Sequence, residues 1–153
     1  MISCPNVLLI GAAGRNVGKT ELACEVIRRH APARQVVGVK VTVIRERGGV
    51  CPRGGEGCGV CTSLEEPFSI TRESSIDGVK DTSRMLRAGA REVLWLRVRH
   101  EHLGEGMRAL IERIPAGALV VCESNSAREA IAPGLFLVVR RAGAQEIKPS
   151  CEA

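Results

Sequence analysis

Hydrophobic positions along the chain follow two patterns that alternate. Short runs rich in β-branched residues occupy residues 7–10, 36–43, 93–98, 118–122 and 135–139, each bounded by polar residues or glycine. Continuous apolar runs of this length predict strands buried on both faces, as in a parallel sheet. Between them the apolar residues step by three and four. Residues 19–30 place Leu22, Ala23, Val26 and Ile27 on one helix face, and residues 82–90 repeat the pattern. Residues 101–114 turn Met107, Leu110, Ile111 and Ile114 inward before Pro115 and Gly117 end the helix. This alternation predicts an α/β fold: an open, mainly parallel sheet with helices on both faces, in three layers. Residues 45–75 break the rhythm. They are rich in Gly, Cys, Arg and Glu, show no clear period, and read as an insert. No repeat or linker divides the chain, so residues 1–153 read as a single domain long enough to bury its own core.

Composition narrows the classes of partner. Hydrophobic content of 44% and charged content of 25% fit a globular domain. With 2% aromatics and no Tyr, the chain lacks the stacking platforms that grip single-stranded nucleic acid. The net charge of +5 is spread as Arg along the chain, which suits a polyanionic ligand such as a nucleotide. No nucleic-acid motif accompanies it, so nucleic acid is not the expected partner. Residues 1–5 lack the features of a signal peptide, and no apolar run is long enough to cross a bilayer. The expectation is a cytoplasmic protein without a membrane span. In that setting seven cysteines point to metal or free thiols before disulfides.

The sharpest local signal is Ala13-Gly14-Arg15-Asn16-Val17-Gly18-Lys19-Thr20, between the first strand and the first helix. A phosphate needs inward-pointing backbone N–H groups, which small residues allow, and a helix N-terminus adds partial positive charge. In such a P-loop (Walker A motif), Lys19 reaches the β- and γ-phosphates, Thr20 ligates Mg²⁺, and Glu21 follows in the first helical turn. The strict motif has Gly where Ala13 stands, so Gly14 is expected to supply the tight turn. No Asn-Lys-x-Asp motif reads a guanine base, which leaves the nucleotide as GTP or ATP.

A P-loop usually works with a carboxylate at a strand end. Glu123, directly after the run 118–122, occupies such a place. Asp77 and Asp81 precede the second helix, and Asp81 either approaches the magnesium from there or caps that helix. The predicted catalytic set is therefore Lys19, Glu123 and Asp81, with Lys80 and Arg84 near enough in sequence to neutralise phosphate charge.

The insert carries Cys51-x₆-Cys58-x₂-Cys61 within a glycine-rich loop. The x₂ pair can share one tetrahedral ion, so zinc or an iron–sulfur cluster is expected there, with free thiols or a redox pair as the alternative. A fourth ligand would come from Cys4, Cys24, Cys122, Cys151, a distant histidine or the second protomer of a homodimer. Cys24 and Cys122 otherwise read as small core residues. His30 closes the first helix and suits its C-terminal dipole, while His100 and His102 read as solvated residues.

Four segments together resemble the molybdopterin-guanine dinucleotide biosynthesis protein B family of small P-loop GTP-binding proteins. They are residues 11–20; Val37-Gly38-Val39-Lys40; Asp77-Gly78-Val79-Lys80-Asp81-Thr82-Ser83-Arg84 running on to Ala88-Gly89-Ala90; and residues 118–122 ending in Glu123. The chain has Val41-Thr42 where that family usually has histidines, and Ser124 where it usually has Gly. The cysteine-rich insert is also foreign to the family pattern. The resemblance implies a slow GTPase or ATPase serving molybdenum-cofactor or other metallocentre assembly, with a cofactor-assembly protein as partner. A small-molecule kinase and a non-enzymatic, nucleotide-dependent metal-binding adaptor are the alternatives.

Overall fold

Five of the apolar runs become strands, and a sixth strand joins them. The computed structural model describes residues 1–45 and 64–143. Among these are β1 (Ile2–Ala12), β2 (Val36–Ile44), β3 (Phe68–Arg72), β4 (Glu92–Arg99), β5 (Leu119–Glu123) and β6 (Ile131–Val139). The helices are α1 (Lys19–His30), α2 (Asp81–Arg87) and α3 (Leu103–Ile111). The sheet order is β3-β4-β2-β5-β1-β6, parallel throughout except for β3, which runs antiparallel to β4. This is the expected α/β fold with a mainly parallel sheet.

The pleat sends alternate residues to opposite faces, and each face has its own helices. On one, Ala23, Cys24 and Ile27 of α1 and Met85 of α2 pack with Ile10, Val36, Val93 and Val121. On the other, Leu103, Met107 and Leu110 of α3 pack with Leu9, Val37, Val39, Leu96 and Val120. Strand β2 serves both: Val37, Val39 and Val41 face α3, which leaves Gly38, Lys40 and Thr42 on the face of α1 and α2. No helix among the described residues is long and apolar enough to cross a membrane.

The structure corrects the sequence reading in three places. Residues 45–75 contain β3, whose Phe68-Ser69-Ile70-Thr71-Arg72 alternates apolar and polar side chains. Phe68 and Ile70 pack on the α3 face. Five residues of alternation beside a polar, glycine-rich stretch were too short to stand out. The last helix is shorter than predicted, with a 3₁₀ turn at His100–His102 before α3. Strands β1 and β6 are longer than predicted, because their first residues pair with one another, Ile2 with Ile131 and Cys4 with Pro133.

That extra pairing lies along α3. Ile2 shares a hollow with His100 and Leu103 at the start of the helix, and Cys4 shares one with Ile111 and Ile114 at its end. The register then shifts between Cys4 and Leu8 before the two strands continue in the sheet. The shift requires Gly134. A Cβ there would lie 2.1 Å from the Pro5 carbonyl oxygen, so a side chain would force β1 and β6 apart.

Candidate functional site

In an open α/β sheet, ligands bind in a crevice at the carboxyl ends of the strands. Here a cavity of about 810 Å³ opens at the ends of β1, β2 and β5. It is lined by Ala12, Gly14, Arg15, Asn16, Val17, Gly18, Lys19, Thr20, Glu21, Lys40, Val41, Thr42, Asp81, Arg84, Glu123 and Asn125. All the predicted nucleotide-binding residues lie here except Ala13. The amide of Ala13 donates to the Val139 carbonyl at 2.9 Å, which ties it to β6.

The loop turns at two left-handed residues, Asn16 (φ 51°) and Gly18 (φ 98°), rather than at Gly14. A side chain at Gly18 would be strained, whereas asparagine tolerates this conformation. Helix α1 begins at the next residue, with Gly18 as its N-cap and no side chain capping it. Its first amides are therefore left for a ligand or water at the cavity wall.

Glu123 organises the floor. Strand β5 is paired on both sides at this level, with Ile10 and Lys40 opposite Glu123. The carboxylate is 5% exposed. Thr20 Oγ1 donates to Glu123 Oε2 at 2.9 Å, and Lys19 Nζ lies 3.6 Å from Oε1. The structure thus brings the predicted Glu123 to the predicted Lys19 and Thr20, more than a hundred positions away.

Asn125 was missed by sequence reading. Its amide makes two 2.8 Å hydrogen bonds with the backbone of Ala12, accepting from the N–H and donating to the carbonyl. This fixes the start of the loop. A single asparagine 113 positions from its partner leaves no linear signal.

Opposite the loop, the wall is built from ion pairs. Lys40 pairs with Asp81, and Arg84 with Glu21. Asp81 is not the cap of α2: Lys80 holds that position, no side chain caps the helix, and Asp81 turns to Lys40 instead. Asp81 shares the cavity with Glu123 but is engaged by a different cation. Asp77 and Lys80 are exposed and outside the lining.

Magnesium favours oxygen donors, and the Thr20 hydroxyl beside the Glu123 carboxylate supplies them. No group of three or more His, Cys, Asp or Glu among the described residues is arranged to hold a metal ion. Cys51, Cys58, Cys61 and Cys151 lie outside the described residues. Cys4, Cys24 and Cys122 are free and buried. Burial pushes all three thiols up, that of Cys122 to about 12. Among the described residues these three thiols sit in the core, where they pack as small apolar groups. His100 lies 2.8 Å from Glu129 and His102 lies 3.1 Å from Glu105, both outside the cavity lining.

No family model, curated protein or solved structure matches the chain.

Proposed function

We propose that the chain binds a nucleoside triphosphate, GTP or ATP, as its Mg²⁺ complex and hydrolyses it slowly. One observation carries the reading: the buried carboxylate of Glu123 meets both Thr20 and Lys19 at the mouth of a loop that opens a helix. The loop amides and Lys19 would hold the phosphates and counter the charge that gathers on them during transfer. Mg²⁺ would be held by Thr20 and by Glu123, directly or through water, and when bound it neutralises charge between the outer phosphates. Every carboxylate lining the described cavity is already paired with a cation.

The four segments resembling molybdopterin-guanine dinucleotide biosynthesis protein B extend the reading to molybdenum-cofactor or other metallocentre assembly, with a cofactor-assembly protein as partner. In that setting Cys51, Cys58 and Cys61 would hold the zinc or iron–sulfur site, a reading that rests on their spacing alone.

Calorimetric titration with GTP and ATP, with and without Mg²⁺, tests the central claim. Lys19→Ala should weaken binding by about tenfold to a hundredfold, the worth of a charge-assisted contact. Thr20→Ala should remove most of the Mg²⁺ dependence. Equal binding by Lys19→Ala and the unaltered protein would sink the assignment.

A further inference from the structure

Strand β2 reads Val-Val-Gly-Val-Lys-Val-Thr-Val-Ile, and a lysine in the middle of such a strand needs a reason. Burying a charge is costly unless it is paired. The Lys40 side chain is only 20% exposed, and its partner is Asp81, the first residue of α2, at 34%. Both line the cavity.

The position of Lys40 is specific. The loop leaves β1, Glu123 stands on the neighbouring β5, and Lys40 stands opposite Glu123 on β2, one strand farther out. Two strand spacings, roughly 10 Å, separate β1 from β2. An anion held in the loop and extended past Glu123 therefore approaches Lys40 with its far end, and a shorter one reaches less far.

Asp81 belongs to a segment tied to α2. The Glu73 carboxylate accepts hydrogen bonds from the Ser74 and Ser75 amides, each at 3.0 Å, and from Thr82 Oγ1 at 2.6 Å. Arg87 Nη1 donates to the Ile76 carbonyl at 2.7 Å. The loop between β3 and α2 is thereby fastened to the helix; Met85 anchors that unit on the sheet, and Lys40 ties its first residue, Asp81, beside the site.

We propose that Lys40 is the ligand of the terminal phosphate at this site, and that it leaves Asp81 to bind it. This rests on the nucleotide reading above and adds a discrimination to it. A phosphate oxygen carrying more charge than a carboxylate draws Lys40 away, whereas a diphosphate does not reach it. Since a ligand shifts an equilibrium only by its differential affinity for the two states, a triphosphate releases Asp81 from Lys40 while a diphosphate leaves the pair intact. The chain carries its own reporter. Trp95, its one tryptophan, stands opposite Lys40 on β4 and donates from Nε1 to Thr42 Oγ1 at 3.0 Å.

The test compares Mg²⁺-triphosphate and Mg²⁺-diphosphate of the same nucleoside by calorimetry and by Trp95 fluorescence. Lys40→Met, with its fold checked by circular dichroism, should lose about tenfold or more in triphosphate affinity and less than about twofold in diphosphate affinity. Lys40→Arg should recover part of the difference. Asp81→Asn removes the competitor and should tighten triphosphate binding a few-fold while leaving diphosphate binding unchanged. The tryptophan signal should change with triphosphate alone. Parallel losses for both nucleotides in Lys40→Met, no loss for either, or weaker triphosphate binding by Asp81→Asn would overturn the role of Lys40 alone. If the unaltered protein binds neither nucleotide, the proposed function falls, and this inference falls with it.

Discussion

The two walls of the cavity are made differently. The wall from β1 into α1 is a backbone structure: two left-handed residues, an uncapped helix start and two hydrogen bonds from Asn125 fix its shape. The wall from β2 to α2 is a side-chain structure, in which Lys40–Asp81 and Arg84–Glu21 span between elements. A wall set by main-chain geometry has few ways to rearrange. A wall of ion pairs can exchange partners, because partly exposed pairs are each worth little and an anionic ligand competes for their cations. The site thus joins a fixed half to a half that can change.

The largest effect that would sharpen this contrast comes from the core beneath α2. Met85 is fully buried and packs below Gly38 and Val93. Met85→Ala should cost about 2–5 kcal/mol, read from denaturant unfolding. At temperatures where the variant stays folded, diphosphate affinity, carried by the other wall, should hold. A parallel collapse of diphosphate binding would break the division into two walls.

Next comes the loop itself. Gly18→Val places a β-branched residue at φ 98° and should weaken both nucleotides together by about tenfold or more, through backbone strain alone. Discrimination between them in that variant would contradict the contrast from the other side.

A smaller loss is expected from Asn125→Ala. It removes both side-chain hydrogen bonds to the Ala12 backbone, at about 0.5–1.5 kcal/mol each, measured by chemical unfolding.

The smallest effect is a matter of pH. The Thr82 hydroxyl and the Ser75 and Ser74 amides hold the Glu73 carboxyl below its usual range. A depressed carboxylate contributes stability that is fully present above its unfolded-state value and is lost as pH falls through the folded one. Stability should therefore decline below about pH 4.5, and Glu73→Gln should flatten that part of the acid limb. An unchanged acid limb would remove Glu73 as the fastener of the α2 unit.

The same contrast explains what could be read in the sequence. The loop is local: small residues, Gly18-Lys19-Thr20 and the flanking strand and helix all lie within residues 2–30, so motif and setting were visible together. Glu123 was legible because an apolar strand pointed to its end. Asn125 and the Lys40–Asp81 pair were not, since they act across 113 and 41 positions and carry no periodic signal. Asp81 looked equally like a helix cap, and only the path of β2 past α2 decides for Lys40. The fold was legible wherever burial on both faces made a continuous apolar run. It was lost at β3, a short edge strand whose alternation is brief.

The sheet order has a consequence for the birth of the protein. Strand β1, which leads into the loop 13–18, lies between β5 and β6, so both of its neighbours come from the last third of the chain. During synthesis β1 therefore has no native edge to join until residues 119–139 have followed it. Strands β2, β3 and β4 can pair before then, so the cavity between β1, β2 and β5 is completed only after the later strands join.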